Sequence, residues 1–340
     1  MASAVRKLAH RVPRQMRSLH LLAWSMLLCC ATLAAATPAV PAPDANIVPV
    51  RLLRGYLMIA QVSINDRGPF EFLVDTGSNT TLLDPGLAAE LGLHAKDKLQ
   101  LTSLADATAV PRYFLGKLTV GTLSLSNLEA LAAPLPELSA LDGNIRGVLG
   151  MNFLLHFSFR LDFDTPALEL YSSPEKARIP AGLTVPVQIN QARLLIAVAS
   201  GSATQGTWKL VLDSGISQFL VFEDRTARAD EPLCADSSCL MQVSTNLSQQ
   251  QATIRLLRDL SISDERLPEQ QVVILHNDLQ TSSDPQDGLM PAAPFHSVFF
   301  DRSTATLIFS PSPGTPDGAG SARAGVESRG ATPLVALQTH

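Results

Sequence analysis

The feature that most limits what this chain can fold into is an internal duplication. Val48-Pro49-Val50 recurs as Val185-Pro186-Val187, and Phe72-Leu73-Val74-Asp75-Thr76-Gly77 recurs as Leu210-Val211-Leu212-Asp213-Ser214-Gly215. Arg146-Gly147-Val148-Leu149-Gly150 is echoed by Asp287-Gly288-Leu289-Met290-Pro291, and Leu161-Asp162 by Phe300-Asp301. The offsets are 137, 138, 141 and 139 residues. Four matches in order at nearly one offset imply two homologous lobes, and the period is far too long for a solenoid.

The repeat divides the chain into lobe one over 47–171, a linker over 172–183 that contains Ser173-Pro174, and lobe two over 184–309. Residues 310–340 turn to Pro, Gly, Ser, Ala and Thr without an apolar period and read as a disordered tail. Within the lobes, 5% aromatic and 17% charged residues, with 23 Pro and 20 Gly, suit short strands joined by turns, so the fold class expected is all-β. Leu57 to Ile64 and Phe70 to Val74 read as strands around the turn-rich Asn65-Asp66-Arg67-Gly68-Pro69. Asp84-Pro85 opens and Gly92 closes a short helix, and Leu115 to Leu128 reads as strands broken at Gly116 and Gly121.

The N-terminus stands apart from both lobes. Five basic residues precede an apolar run from Leu19 to Ala36 that ends in small residues before Thr37-Pro38, the order of a signal peptide over 1–39. An uncleaved anchor is the alternative, because the run approaches the length of a short membrane span. A lipoprotein reading of Cys29 suffers from the bulky Leu28 before it. Cleavage would remove five of the 26 basic residues and none of the 31 acidic ones, for a net charge of −10. Such a chain is a poor binder of nucleic acid, and with the signal gone the mature form is expected off the membrane, periplasmic or secreted. Export would leave Cys234 and Cys239 as an isolated pair, read as one disulfide; no metal is expected, since the histidines are scattered outside any ligand motif.

Each lobe carries an apolar strand that ends in Asp, a small hydroxyl residue and Gly: Asp75-Thr76-Gly77-Ser78 and Asp213-Ser214-Gly215-Ile216. A single such tripeptide is commonplace, whereas two at equivalent places in a duplication pair two carboxyls. One can then act as base toward water while the other, protonated, donates to a carbonyl oxygen. With these loops and the apolar-pair segments Gly147-Val148-Leu149-Gly150 and Gly288-Leu289-Met290-Pro291, the sequence resembles the aspartic peptidases, particularly retropepsin-like ones, over almost all of both lobes.

The resemblance implies two retropepsin-like β-barrel lobes with a cleft between them, and a monomer acting as a pseudo-dimer. It implies an aspartic endopeptidase with Asp75 and Asp213 catalytic, a polypeptide substrate and no cofactor. Thr76 and Ser214 would lock the loops to each other, and Gly77, Gly215 and Ser78 would support the carboxylates. Flaps are expected over Leu101 to Tyr113 and Val243 to Leu256, with Tyr113 either a flap aromatic or a plain strand residue. Ile216 in place of Ser78, and Pro291 in place of Gly150, depart from lobe one and favour the alternative of a catalytically degenerate peptide-binding protein. A Ser78 hydroxyl on Asp75 would make Asp75 the charged member of the pair and Asp213 the protonated one, with activity greatest on the acidic side.

Overall fold

The computed structural model describes residues 46–102, 107–173, 177–200, 206–222, 240–244, 249–257, 259–275 and 286–310. The signal peptide, the Cys234–Cys239 pair and the tail beyond Ser310 lie outside the described residues. So do the tips of both expected flaps.

Lobe one is a mixed sheet of eight strands, antiparallel except for two parallel pairings, Arg67–Val74 on Ile145–Leu149 and Thr81–Leu83 on Leu123–Ala132. Leu57–Ile64 and Arg67–Val74 form its leading hairpin. The turn is only Asn65-Asp66, both at positive φ (51° and 60°), a two-residue geometry that matches strand twist and that Asn and Asp tolerate. The second strand therefore begins at Arg67, three residues earlier than the run of turn formers suggested. The strand Ala107–Val120 passes straight through Gly116, and the break falls at Gly121 alone (φ 59°), where the chain reverses into Leu123–Ala132. Val62 paired with Val120 closes the sheet on itself. Asp84 caps the helix Pro85–Glu90 by accepting the Leu87 N–H, and Gly92 follows at φ 67°.

Lobe two repeats this strand order. Arg193–Ser200, Thr207–Asp213, Gly288–Pro291 and Phe219–Phe222 stand where Leu57–Ile64, Arg67–Val74, Ile145–Leu149 and Thr81–Leu83 stand in lobe one. The long lobe-one strand Ala107–Val120 has two counterparts, Gln249–Leu257 and Leu260–Ile262, and the second makes the closing contact with Arg193–Ser200. The described strands thus form two lobes of one β architecture, each a sheet that closes on itself.

A third sheet of six strands joins the lobes, in the order Asn46–Pro49, Ala167–Tyr171, Ser158–Asp162, Ser297–Asp301, Thr306–Ser310, Leu183–Pro186. At its centre Phe159 pairs with Phe300, their ring centroids 5.4 Å apart, so equivalent strands of the two copies meet face to face. Strands from both ends of each lobe enter this sheet, and Leu183 and Ser310, expected in linker and tail, are strand residues within it. The repeated Asp162 and Asp301 are turn-formers: each accepts main-chain N–H groups of the hairpin that follows it. One buried apolar cluster runs from Phe72 and Val62 through Phe159 and Phe300 to Ile196 and Leu210. At about 1.5–3 kcal/mol for each large side chain, that burial couples the lobes energetically.

Candidate active site

Two strands with fully buried apolar ends deliver the candidate carboxyls. Phe72, Leu73 and Val74 are all inaccessible, as are Leu210, Val211 and Leu212, so the residue ending each strand is carried into the interior whatever its polarity. Each strand lies parallel to the apolar-pair segment of its lobe, Arg67–Val74 on Ile145–Leu149 and Thr207–Asp213 on Gly288–Pro291. Glycine is required where these segments cross the next strand. A Cβ on Gly147 would lie 2.5 Å from the Leu82 carbonyl oxygen, and one on Gly288 2.1 Å from that of Leu220.

The two loops grip each other through four hydrogen bonds. Thr76 Oγ1 donates to the Leu212 carbonyl (2.9 Å) and accepts from the Ser214 N–H (3.0 Å). Ser214 Oγ donates to the Val74 carbonyl (2.9 Å) and accepts from the Thr76 N–H (3.1 Å). Within each loop the glycine N–H donates to its own aspartate, Gly77 to Asp75 Oδ1 at 2.8 Å and Gly215 to Asp213 Oδ1 at 2.7 Å. The other oxygen of each carboxyl is buried without a protein donor among the described residues. The two carboxyl groups act on each other's ionisation.

Both carboxyls are pushed upward. Burial raises Asp75 to about 7 against the pull of the Gly77 N–H, the Asp213 carboxyl and the Ser78 backbone N–H. Asp213 is raised well above the ordinary carboxylate range, first by burial and then by the charge of Asp75, with only the Gly215 N–H as backbone opposition. Both carboxyls therefore hold protons more tightly than a free aspartate, and the pair titrates jointly. The expected bond from the Ser78 hydroxyl to Asp75 is not made: Ser78 Oγ donates to the Thr80 carbonyl (2.8 Å), and only the Ser78 main chain acts on Asp75. Burial also moves the singly protonated state from acid pH toward neutrality.

Residues 60–153, which hold the first of these loops, match the family model described as aspartyl protease. The match lies within lobe one, and over it the chain is similar to aspartyl proteases. Among solved structures it is similar to the crystal structure of aspartic proteinase from Irpex lacteus, with a TM-score of 0.47 and 14% identity over 78% of this chain and 97% of that one. No curated protein matches it.

The departures of lobe two from the lobe-one pattern have local consequences. In lobe one Gly150 is forced, since a Cβ there would lie 2.3 Å from the Thr80 carbonyl oxygen. The helix Met151–Leu154 then begins, with the Met151 N–H donating to Ser78 O at 2.8 Å. In lobe two Pro291 takes that place, a turn replaces the helix, and the Ala292 N–H reaches Asp213 O itself (3.0 Å). Ile216 packs fully buried against Leu195, Val211 and Leu220, so the position of Ser78 has become core. Neither change removes the Ser214 grip or the Gly215 N–H bond to the Asp213 carboxylate.

Flap-like hairpins are present in both lobes. Asp97–Thr102 pairs with Ala107–Val120 out to Thr102 and Ala107, and Leu240–Ser244 pairs with Gln249–Leu257 out to Ser244 and Gln249. Tyr113 sits opposite Ala130, half-buried on the core, as a strand residue. Tyr56 was not singled out from the sequence: its phenol is buried, and burial, with the charge of Asp213, makes it hold its proton more tightly. Its one signal was its place in the repeat, 137 residues before Arg193.

Proposed function

We propose that this chain is an aspartic endopeptidase that hydrolyses peptide bonds with a water activated between Asp75 and Asp213. The observation that carries the reading is the reciprocal grip, which ties together the loops of two buried carboxyls, each held by the N–H of its own glycine and each with one oxygen free of protein donors among the described residues. In that arrangement Asp75 takes a proton from the water as it attacks the peptide carbonyl, and Asp213 gives its proton to the carbonyl oxygen. The tetrahedral diol then collapses: its oxygen returns a proton to the pair and the leaving nitrogen is protonated. Atoms balance with water as the sole co-reactant, and no metal or organic cofactor enters these steps.

The substrate is an extended polypeptide between the lobes and beneath the two hairpins. The acidic mature chain works after export, in the periplasm or outside the cell, as a monomer whose lobes stand in for the subunits of a dimer. Cleavage of a mixed peptide library by wild type, Asp75→Asn and Asp213→Asn tests this reading. Each variant should lose roughly 10²-fold or more in turnover, the usual scale of an acid–base group, and the double variant little beyond either. Wild-type cleavage no greater than that of both variants would overturn it, and peptide binding retained in that case would point to a peptide-binding protein.

A further inference from the structure

The Asp75 loop rests at both ends on the segment that follows the strand Ile145–Leu149. The Asp75 N–H donates to the Leu149 carbonyl (3.1 Å), and the Ser78 carbonyl accepts the Met151 N–H (2.8 Å). Between those two bonds the segment is fastened by side chains. The Gly150 N–H donates to Thr81 Oγ1 (3.4 Å), Thr81 Oγ1 donates to Asn152 Oδ1 (2.8 Å), and Asn152 Nδ2 donates to the Glu129 carbonyl (2.8 Å). Thr81 is fully buried, where a hydroxyl left unpaired is costly.

Lobe two has neither side chain. The repeat puts Phe219 at the place of Thr81 and Ala293 at that of Asn152. Phe219 is buried in the apolar core and Ala293 packs against it. A hydroxyl and an amide that satisfy each other have two apolar groups as their counterparts, an exchange that orphans neither partner. One aspartate loop is thus backed by a chain of polar bonds and the other by packing.

We propose that Asn152 is a positioning residue for Asp75 and not for Asp213: through Thr81 it holds Gly150, and with it the two main-chain bonds that keep the Asp75 loop in place. The inference rests on the reading of Asp75 and Asp213 as the working pair. Asn152 bonds to Thr81 and to the Glu129 carbonyl, so it acts on the carboxyl through the main chain. Its anchor is firm, since Glu129 lies in Leu123–Ala132, a strand paired with Thr81–Leu83 on one side and with Ala107–Val120 on the other. Gly150 lies against the Thr80 carbonyl with no room for a Cβ, so a shift of Gly150 is passed on to the loop.

Amide hydrogen exchange on the full-length protein, read together with peptide cleavage, tests this. Asn152→Ala and Thr81→Val should each speed exchange at the Asp75 and Met151 amides by roughly tenfold or more, because the opening they favour is local. The Ala292 amide, which serves Asp213 in lobe two, should keep its rate. The double variant should go little further than either, since one chain of bonds is broken in all three. Thr81→Ser, which keeps the hydroxyl, should restore the wild-type rates. In cleavage, kcat should fall by roughly tenfold or more with KM within about twofold, the mark of a displaced reacting group and not of lost substrate contacts. Equal acceleration at Ala292, or none at Asp75, would reduce Asn152 to a residue that serves overall stability. Unchanged kcat despite selective exchange would show that Asp75 keeps its place without it, and any of these results overturns the proposal. Exchange needs no turnover, so a wild type that cleaves no peptide while the exchange pattern holds would count against the peptidase reading alone.

Discussion

Asp213 lies directly over Gly77: a Cβ built on that glycine would stand 2.3 Å from Asp213 Oδ2. The repeated glycine of lobe one thus makes room for the other lobe's carboxyl, besides donating its N–H to Asp75. Gly77→Ala must push the two carboxyls apart or open the grip. Turnover is expected to fall by at least roughly 10²-fold, since displacements near 1 Å in a reacting constellation cost that much. Steady-state peptide cleavage measures it, and near-wild-type turnover would show that the pair tolerates separation.

The grip should be costly to break from either side. Thr76→Val leaves the Leu212 carbonyl and the Ser214 N–H buried without their partner, and Ser214→Ala does the same to Val74 and Thr76. Each is expected to cost roughly 2–5 kcal/mol, two unsatisfied buried groups apiece. The double variant should cost less than the sum, because the four bonds form one network. Urea unfolding of the three variants decides it, with strict additivity as the contrary result.

Stability should fall with rising pH on account of the pair. Both folded-state values are raised above those of the unfolded chain, so the folded state binds more protons and the contribution is complete below about pH 4. It is lost as pH climbs through about 7 for Asp75 and higher for Asp213. Asp213→Asn removes this penalty. Its melting temperature should exceed that of wild type by roughly 5 °C or more at pH 8, with the difference shrinking toward pH 4. A constant difference across that range would contradict the titration order.

The rate profile should be bell-shaped. Its acid limb follows ionisation of Asp75, well above the ordinary carboxylate range, and its alkaline limb follows loss of the Asp213 proton. The two limbs belong to the pair jointly, so Asp75→Asn should abolish the acid limb and not merely move it. Measuring kcat/KM from pH 3 to 9 tests this, and an acid limb in the range of a free aspartate would show that the pair is hydrated in the working enzyme.

The duplication, the position of both aspartates and the all-β class were legible in the sequence because each is a matter of pattern. A repeated apolar run that ends in Asp-Thr-Gly or Asp-Ser-Gly needs no coordinates to be seen, and Gly147 and Gly288 could be singled out because the same strand crossing recurs in both copies. What the sequence could not decide were contacts between residues about 138 positions apart. The target of the Ser78 hydroxyl and the turn that follows Pro291 are settled by the backbone within a lobe, whereas the room that Gly77 leaves for the Asp213 carboxyl depends on how one lobe lies against the other. The proton affinity of the pair is of the same kind. Asp75 and Asp213 are ordinary carboxylic acids in the chain, and only the burial that comes when two apolar strands meet makes them hold a proton near neutral pH.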